Sequence, residues 1–584
     1  MSVRKVLSYL KPYIFFILII FSLVAIRAIL DLQFPYYMGL IFDTAESSLL
    51  SNQQKTDKIF EYASLMGLIT ILTILIAITS GFIESKVSAR FGMALRRNVY
   101  TKIQSFTLTE LDKINVSSLI TRTTNDIALV QGTVNMLLRM IILSPVMAVA
   151  AISMAISLSP TLSLVIIGSV MALLVLVITL FLLTMPRFKI IQKLVDKLNL
   201  VTRENLTGLK VVRAFNTRDY QEGKIEKTAD EYRKINVFVN RLFSLMWPLA
   251  ALVMGLTGVG MVLVTVNFDL IDINGFTVGD LSALVQYAAR TIMAFMSITM
   301  ILIQVPRAVI SARRIAEVLN LEVAIKDCDN PIDLVNPTGL IEFKNVTFSY
   351  PNANEPVLYE LNFTCEPNKV TAIIGSTGSG KSTLVNLIPR FYDTTNGEIL
   401  IDGINLKEIR LKSLYQNIGY IPQKALLFKG TIKDNVLYSD ISSESDLQPA
   451  LAISQSLEFV NNLDDKENSL ISQGGSNVSG GQRQRLSIAR ALAKKSKILI
   501  FDDSFSALDY KTDKNLRNAL KENVKATILI VAQRVNTIKE ADQIIVLDNG
   551  RIEAIGTHHE LLNNSKVYQE IAFSQLSKEE LENA

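Results

Sequence analysis

Residues 370–382 read VTAIIGSTGSGKS: an apolar, β-rich run, Val370 to Ile374, feeds the glycine-rich turn Gly375 to Ser382 and then a helical pattern. A strand that delivers such a turn into a helix N-terminus lets successive backbone amides converge on one point, where an anion is stabilised. The amides of Gly378, Ser379, Gly380 and Lys381 are the candidates for phosphate oxygens, with Gly375, Ser376, Thr377 and Thr383 completing the candidate nucleotide-binding stretch. In this reading the Lys381 ammonium points toward the β- and γ-phosphates and Ser382 gives Mg²⁺ a hydroxyl oxygen. Taken alone the stretch is also compatible with a glycine-rich turn that happens to hold a lysine, so the rest of the chain has to decide.

The 584 residues exceed what one core organises, and the two halves differ in composition. The first half carries apolar stretches near Phe15 to Leu30, Leu65 to Ile83, Val134 to Leu158, Leu162 to Leu183, Leu245 to Val266 and Ile292 to Val305. Most have the ~20 residues that cross ~30 Å of hydrocarbon, which predicts six membrane spans. Basic residues cluster before the first span, between the second and third, and between the fourth and fifth, whereas the alternate connections around Ser159 and from Asn267 to Thr277 hold none. The positive-inside rule then places both termini in the cytoplasm. No small-residue cleavage site follows the first apolar run, so that run is expected to be retained as a span. The net charge of +5 is accounted for by the basic inner loops and gives no reason to invoke nucleic acid. Cys328 and Cys365 are the two cysteines, too few for a disulfide framework or a metal cluster.

Pro331 and Pro337 bracket a polar stretch, after which short β-rich runs such as Ile498 to Phe501 alternate with helical patterns. The expected organisation is a transmembrane domain over 1–320, a linker over 321–337 and an α/β domain with a largely parallel sheet over 338–584. Within that domain Val478 precedes Ser479, Gly480, Gly481 and Gln482, which open the helical stretch RQRLSIARALAKK. An exposed Ser-Gly-Gly turn at a helix start can present amides and a hydroxyl to a phosphate, or can simply cap its helix. The SGGQ motif about a hundred residues after a phosphate loop, behind six spans, is specific. The chain resembles an ATP-binding cassette (ABC) exporter half-transporter over nearly its whole length. The resemblance implies the type I ABC exporter fold, six transmembrane helices followed by an α/β P-loop nucleotide-binding domain, with ATP and Mg²⁺ as ligands.

The resemblance also assigns single positions. Tyr350, in FKNVTFSY, matches the aromatic that stacks on adenine; Gln423, in GYIPQ, matches the glutamine near Mg²⁺ and the attacking water; Asp509, in SALD, matches an acid at the dimer interface. Ile498 to Asp503 reads ILIFDD, with Asp502 at the position that supports Mg²⁺. The family's next residue is usually a glutamate that polarises water, and here it is Asp503. One methylene fewer retracts the carboxylate by roughly an ångström, a displacement that can cost on the order of a hundredfold. Gln533, in ILIVAQRVNTI, stands where the family has a histidine on the γ-phosphate; the two histidines of the chain, His558 and His559, come too late to replace it. A glutamine amide can donate to phosphate but cannot shuttle a proton. Gln473, just before the signature, likewise replaces a glutamate usual in such exporters.

Set against the family pattern these departures imply a heterodimer, and the half-transporter format implies a bacterial cytoplasmic membrane. The loop of this chain, with Asp503 and Gln533, would bind ATP and turn it over slowly. Its Ser479 to Gln482 would complete the site of a second half-transporter that brings the glutamate and the histidine. Val116 to Asp126 and Glu204 to Phe215 resemble the coupling helices that plug into nucleotide domains. Arg27, Asp31, Arg139 and Arg290 fall in or beside apolar stretches, where a charge costs a few kcal/mol unless it meets water or a partner. They are candidates for a substrate cavity, or for structural pairs, Arg27 and Asp31 being four apart on one helix face. Gln33, Gln286 and Gln304 add hydrogen-bonding capacity, in a cavity or between helices. A cavity of mixed apolar and cationic character, open to membrane lipid, suits small amphipathic or partly anionic cargo, drugs among them. A homodimeric exporter, an importer of a small chelate through the same fold, and an ATP-sensing regulatory or gating subunit are the competing readings.

Overall fold

The computed structural model describes residues 2–271, 276–351 and 353–575. Part of the expected outer connection Asn267 to Thr277 and the end of the expected domain 338–584 lie outside the described residues. The chain divides into two compact units, Met1–Gln104 with Val116–Leu321, and Ser105–Asn115 with Glu322–Ala584.

Among the described residues of the first unit, six helical stretches are long and apolar enough to cross a membrane. They are built from α1 (Ile14–Glu46), α2 (Asn52–Gln104), α4 (Ile127–Leu158), α5 (Pro160–Thr207), α6 (Arg218–Ser244) continuing through Leu245 into α7 (Met246–Asn267), and α8 (Val278–Asn320). Each sequence-predicted apolar run falls inside one of them. The helices far exceed the runs: the 53 residues of α2 extend ~80 Å, well beyond ~30 Å of hydrocarbon. Helix is the form that lets a lipid-facing chain satisfy its own backbone. Hydroxyls inside the spans follow the same rule, Thr184, Thr257, Thr265 and Thr291 each donating to a carbonyl one turn back. One buried cluster of this unit is packed around Leu32, Met147, Ala151, Leu162, Met261 and Tyr287, with the Tyr287 hydroxyl donating to the Leu32 carbonyl at 3.1 Å.

The second unit is built on two sheets. Among the described residues the strands β1 (Ile341–Phe348), β2 (Leu358–Cys365), β4 (Asn396–Ile401) and β5 (Ile404–Asn405) form a four-stranded antiparallel sheet in the order β2-β1-β4-β5. A six-stranded sheet holds β3 (Val370–Gly375), β6 (Ile418–Ile421), β7 (Ile498–Asp502), β8 (Thr527–Val531), β9 (Gln543–Asp548) and β10 (Arg551–Gly556) in the order β10-β9-β3-β8-β7-β6. All its pairings are parallel except β9 with β10. Strands β7 and β8 are buried along their whole length, which explains why ILIFD and TILIV read as unbroken apolar runs rather than alternating ones. Helices α9 (Lys381–Leu387), α10 (Gly480–Ala493), α11 (Tyr510–Asn523), α12 (His558–Asn564) and α13 (Lys566–Gln575) complete the parts that bear on the site. Cys328 and Cys365 are free.

Two expected connections take a definite form in the structure. The stretch expected as a linker, 321–337, runs along the second unit: Ile332 exchanges backbone bonds with Glu408 and Arg410, and the Leu334 N–H donates to Ser413 Oγ at 2.9 Å. The prolines and polar residues that suggested a tether instead keep an edge-like strip from joining the sheet as a full strand. The first segment expected to resemble a coupling helix, Val116 to Asp126, belongs to the first unit as a short helix and a π-turn. The preceding segment, Ser105–Asn115 with its helix α3 (Leu108–Lys113), is grouped with the second unit. Glu110 explains it: its Oε2 accepts from the Thr107 N–H at 2.7 Å in a capping box, while its Oε1 accepts from the Ala324 N–H at 3.0 Å. The second segment, Glu204 to Phe215, comprises the last turn of α5, a break at Gly208 and the short helix Leu209–Ala214, and its Leu206, Leu209, Val211 and Phe215 are exposed.

Candidate functional site

The turn between β3 and α9 lies at the carboxyl end of the parallel strands, where open α/β sheets bind ligands. Gly380 caps α9 with φ +96°, and a Cβ there would sit 2.7 Å from the Leu358 side chain, so the turn needs glycine at that point. Lys381 is buried and its ammonium donates to the carbonyls of Gly375 at 2.9 Å and Ser376 at 2.7 Å. Burial pulls the Lys381 pKa down from its ordinary value, with the carboxylates of Asp503 and Asp502 acting in the opposite sense. An ammonium held over a ring of backbone dipoles, in reach of two carboxylates, is suited to a polyphosphate.

Ser382 Oγ donates to Asp502 Oδ1 at 2.8 Å, across 120 residues of sequence. The Tyr420 hydroxyl lies 3.2 Å from Asp502 Oδ2, and its own pKa is raised by burial and then by that carboxylate. A hydroxyl and a carboxylate oxygen in contact beside a phosphate turn are the hard-oxygen donors Mg²⁺ accepts, with phosphate and water for the remainder. Among the described residues no group of three or more His, Cys, Asp or Glu could hold a metal.

Asp503 follows at the end of β7 with φ +46°, its N–H donating to the Val531 carbonyl at 3.0 Å. That left-handed turn aims its carboxylate back over the loop. Gln423 Nε2 and Gln533 Nε2 both donate to Asp503 Oδ2, each at 2.9 Å. Burial raises the Asp503 pKa; the Gln423 bond, Lys381 and Arg534 work against the rise and Asp502 adds to it. Tyr350 stands over the start of α9, its hydroxyl 2.9 Å from Thr383 Oγ1 and its ring edge-on to Phe348 and Tyr392.

The signature residues open another helix, α10. Ser479 is the N-cap of α10, with Gln482 N–H donating to Ser479 Oγ at 3.2 Å and Ser479 N–H to Gln482 Oε1 at 2.9 Å. The exposed turn Ser479-Gly480 therefore both caps its helix and faces outward. Asp509 caps α11 by accepting the Thr512 N–H at 3.0 Å, which holds its carboxyl below the ordinary range. Gln473 opens a one-turn 3-10 segment whose Gly474 and Gly475 carbonyls accept from Arg483. A groove of about 560 Å³ elsewhere on this unit is lined by Phe391, Tyr415, Tyr438, Arg490 and Lys494 among others.

In the first unit Arg27 and Asp31 pair at 3.7 Å along α1, and the charge of Arg290 on α8 also reaches Asp31. Arg139 and Arg290 are exposed on this chain. Sequence reasoning missed Glu84, which is 5 % exposed on α2 and lies close enough to Arg139 and Arg27 for their charges to act on it. Its signal was present as a carboxylate directly after the apolar run Leu65 to Ile83.

Comparison with known proteins gives two family matches, an ABC transporter model over residues 358–506 and an ABC transporter transmembrane region model over residues 16–295. An uncharacterized ABC transporter ATP-binding protein of Mycobacterium bovis is 35% identical over 574 residues, 97% of each chain. A similar one from Bacillus subtilis is 32% identical over 582 residues, 99% of each. An ATP-dependent lipid A-core flippase of Haemophilus influenzae is 29% identical over 526 residues, 88% of this chain and 89% of the other. Among solved structures, a bacterial Atm1-family ABC exporter with ATP bound superposes with a TM-score of 0.80 at 23% identity, covering 95% of this chain and 98% of that one.

Proposed function

Because the chain belongs to the ABC transporter family, as a multi-pass exporter half-transporter whose six apolar helices precede an ATP-binding domain, we propose that it is the slow-hydrolysing subunit of a heterodimeric exporter of amphipathic compounds. The observation that carries this reading is the carboxylate of Asp503, one oxygen of which accepts amide N–H groups from Gln423 and from Gln533. Hydrolysis at the γ-phosphate needs a group that orients water and takes its proton. Here the carboxylate is one methylene shorter than the usual glutamate, and the neighbour at residue 533 is an amide that can donate but cannot relay a proton.

In this proposal the loop amides and Lys381 bind the phosphates, Tyr350 meets the adenine, and Ser382 and Asp502 hold Mg²⁺, with Gln423 beside them. Mg²⁺ supplies charge neutralisation at the β- and γ-phosphates. Ser479, Gly480 and Asp509, which are exposed, and the half-buried Gly481 and Gln482, preorganised by the caps, face a partner subunit that brings the glutamate and histidine. Both termini lie in the cytoplasm of a bacterial cell in this orientation. The intramembrane arginines, facing fewer carboxylates, favour a cavity for amphipathic cargo, in keeping with a lipid flippase among the relatives.

ATP hydrolysis by the purified chain, alone and co-produced with a second half-transporter, tests the reading. Activity confined to the pair, and lost when the partner's glutamate is replaced, supports it. Fast turnover by the chain alone overturns it in favour of a homodimer.

A further inference from the structure

The last residue of α13 reaches into the loop that carries Gln533. Gln575 Nε2 donates to the Gln533 carbonyl oxygen at 2.8 Å, and Gln575 Oε1 accepts the Val535 N–H at 2.9 Å. One carboxamide thus spans an acceptor and a donor two residues apart, the pairing a neighbouring strand would otherwise supply. The loop has need of such a partner. Strand β8 stops at Val531, Ala532 N–H still reaches the Ile373 carbonyl at 3.1 Å, and the short helix Val535–Ile538 begins with a Val535 N–H that has no acceptor within its own helix.

The bridge is anchored at the other end. Tyr568 and Ala572 of α13 are fully buried, and the Tyr568 hydroxyl lies 2.6 Å from His558 Nδ1 of α12. From the bridged loop the Gln533 side chain turns to Asp503, 2.9 Å away. A continuous path of bonds therefore leads from a packed carboxyl-terminal helix, through Gln575 and the backbone of residue 533, to the carboxylate at the end of β7.

We infer that Gln575 is a positioning residue of the nucleotide site: it fixes the backbone of residues 533–535 so that the Gln533 carboxamide is presented to Asp503 and to the γ-phosphate of bound ATP. This rests on the assignment of Gln533 to the γ-phosphate made above. Gln575 is itself exposed, so water replaces its bonds at small cost to folding, and its effect is on the placement of Gln533 rather than on the stability of the unit.

The test uses the full chain in lipid nanodiscs and the β,γ-imido analogue of ATP with Mg²⁺, so that binding is read without hydrolysis. Gln575→Met keeps the length of the side chain and removes both bonds. It is expected to weaken binding of the analogue roughly 3- to 10-fold, the worth of one displaced hydrogen bond to the ligand, with an unchanged thermal midpoint. In a Gln533→Ala background the same substitution is expected to add nothing, because there is no longer a carboxamide to place. Wild-type affinity in Gln575→Met, or an equal loss with and without Gln533, overturns the inference and leaves α13 a packing element. Fast ATP hydrolysis by the unaltered chain would overturn the slow-site reading alone; the coupling between residues 575 and 533 would still decide this one.

Discussion

Asp503 Oδ2 accepts the Gln533 Nε2–H at 2.9 Å, so the two residues on which the slow-site proposal rests are bonded to each other. Replacing both, Asp503→Glu with Gln533→His, moves the carboxylate forward by roughly an ångström and supplies a group that can exchange protons. Phosphate release by the purified chain is expected to rise on the order of 10²-fold in kcat, with little change in KM for ATP. A rise confined to KM would mean that the pair governs binding and not the chemical step.

The buried imidazole of His558 predicts an acid sensitivity. Burial lowers its pKa, with His559 and Lys539 acting in the same direction, and its Nε2 is buried without a hydrogen-bond partner. In the unfolded chain the group titrates near its ordinary value of about 6.5, so below that pH the unfolded state binds the proton more readily than the folded one. The stabilisation is complete above about pH 6.5 and is lost as pH falls toward the lowered folded value. Thermal midpoints of the full chain measured from pH 7.5 to 5 should fall, and the fall should be shallower in His558→Gln. Parallel curves for the two proteins would place the acid sensitivity elsewhere.

A close approach of two helices makes a third prediction. Asp43 of α1 accepts the Gly279 N–H at 2.8 Å and the Thr277 hydroxyl at 2.9 Å, closing the N-terminus of α8. A Cβ at Gly279 would fall 2.2 Å from the Gly39 carbonyl oxygen and 2.5 Å from the Asp43 carboxyl group. Gly279→Ala must therefore push the two helix ends apart, at a cost of about 1–3 kcal/mol. The thermal midpoint of the protein in detergent should drop accordingly. An unchanged midpoint would show that these ends move apart freely.

The six spans and the phosphate turn were legible because each is a local signal: a run of apolar residues longer than a globular helix needs, and glycines at fixed spacing behind a β-rich run. What was not legible depended on long-range partners. The stretch around Pro331 reads as a tether because nothing in it shows that Ile332 will bond to Glu408 and Arg410 some eighty residues away. The grouping of Ser105–Asn115 with the second unit is not legible because Glu110, its organising residue, is an unremarkable acid until its second oxygen meets Ala324. Gln575 carries no motif at all; its role follows from where α13 ends.

The charges within the membrane half give the last prediction. Arg27, Arg139 and Arg290 share their neighbourhoods with two carboxylates, Asp31 and the buried Glu84, and the Nε of Arg27 is buried without a hydrogen-bond partner. If these side chains face the transported molecule, removing one carboxylate charge leaves the arginines less compensated. At the intermediate dielectric of such a site that change is felt over several ångströms. Glu84→Gln should then raise affinity for an anionic amphiphile relative to a cationic one of equal chain length by roughly 3- to 10-fold, and salt should weaken the difference. Binding of the two probes to the protein in neutral-lipid nanodiscs measures the ratio. An unchanged ratio with a lowered thermal midpoint would identify Glu84 as a structural counter-charge to Arg139, and the cavity would have to be sought along another face of the helices.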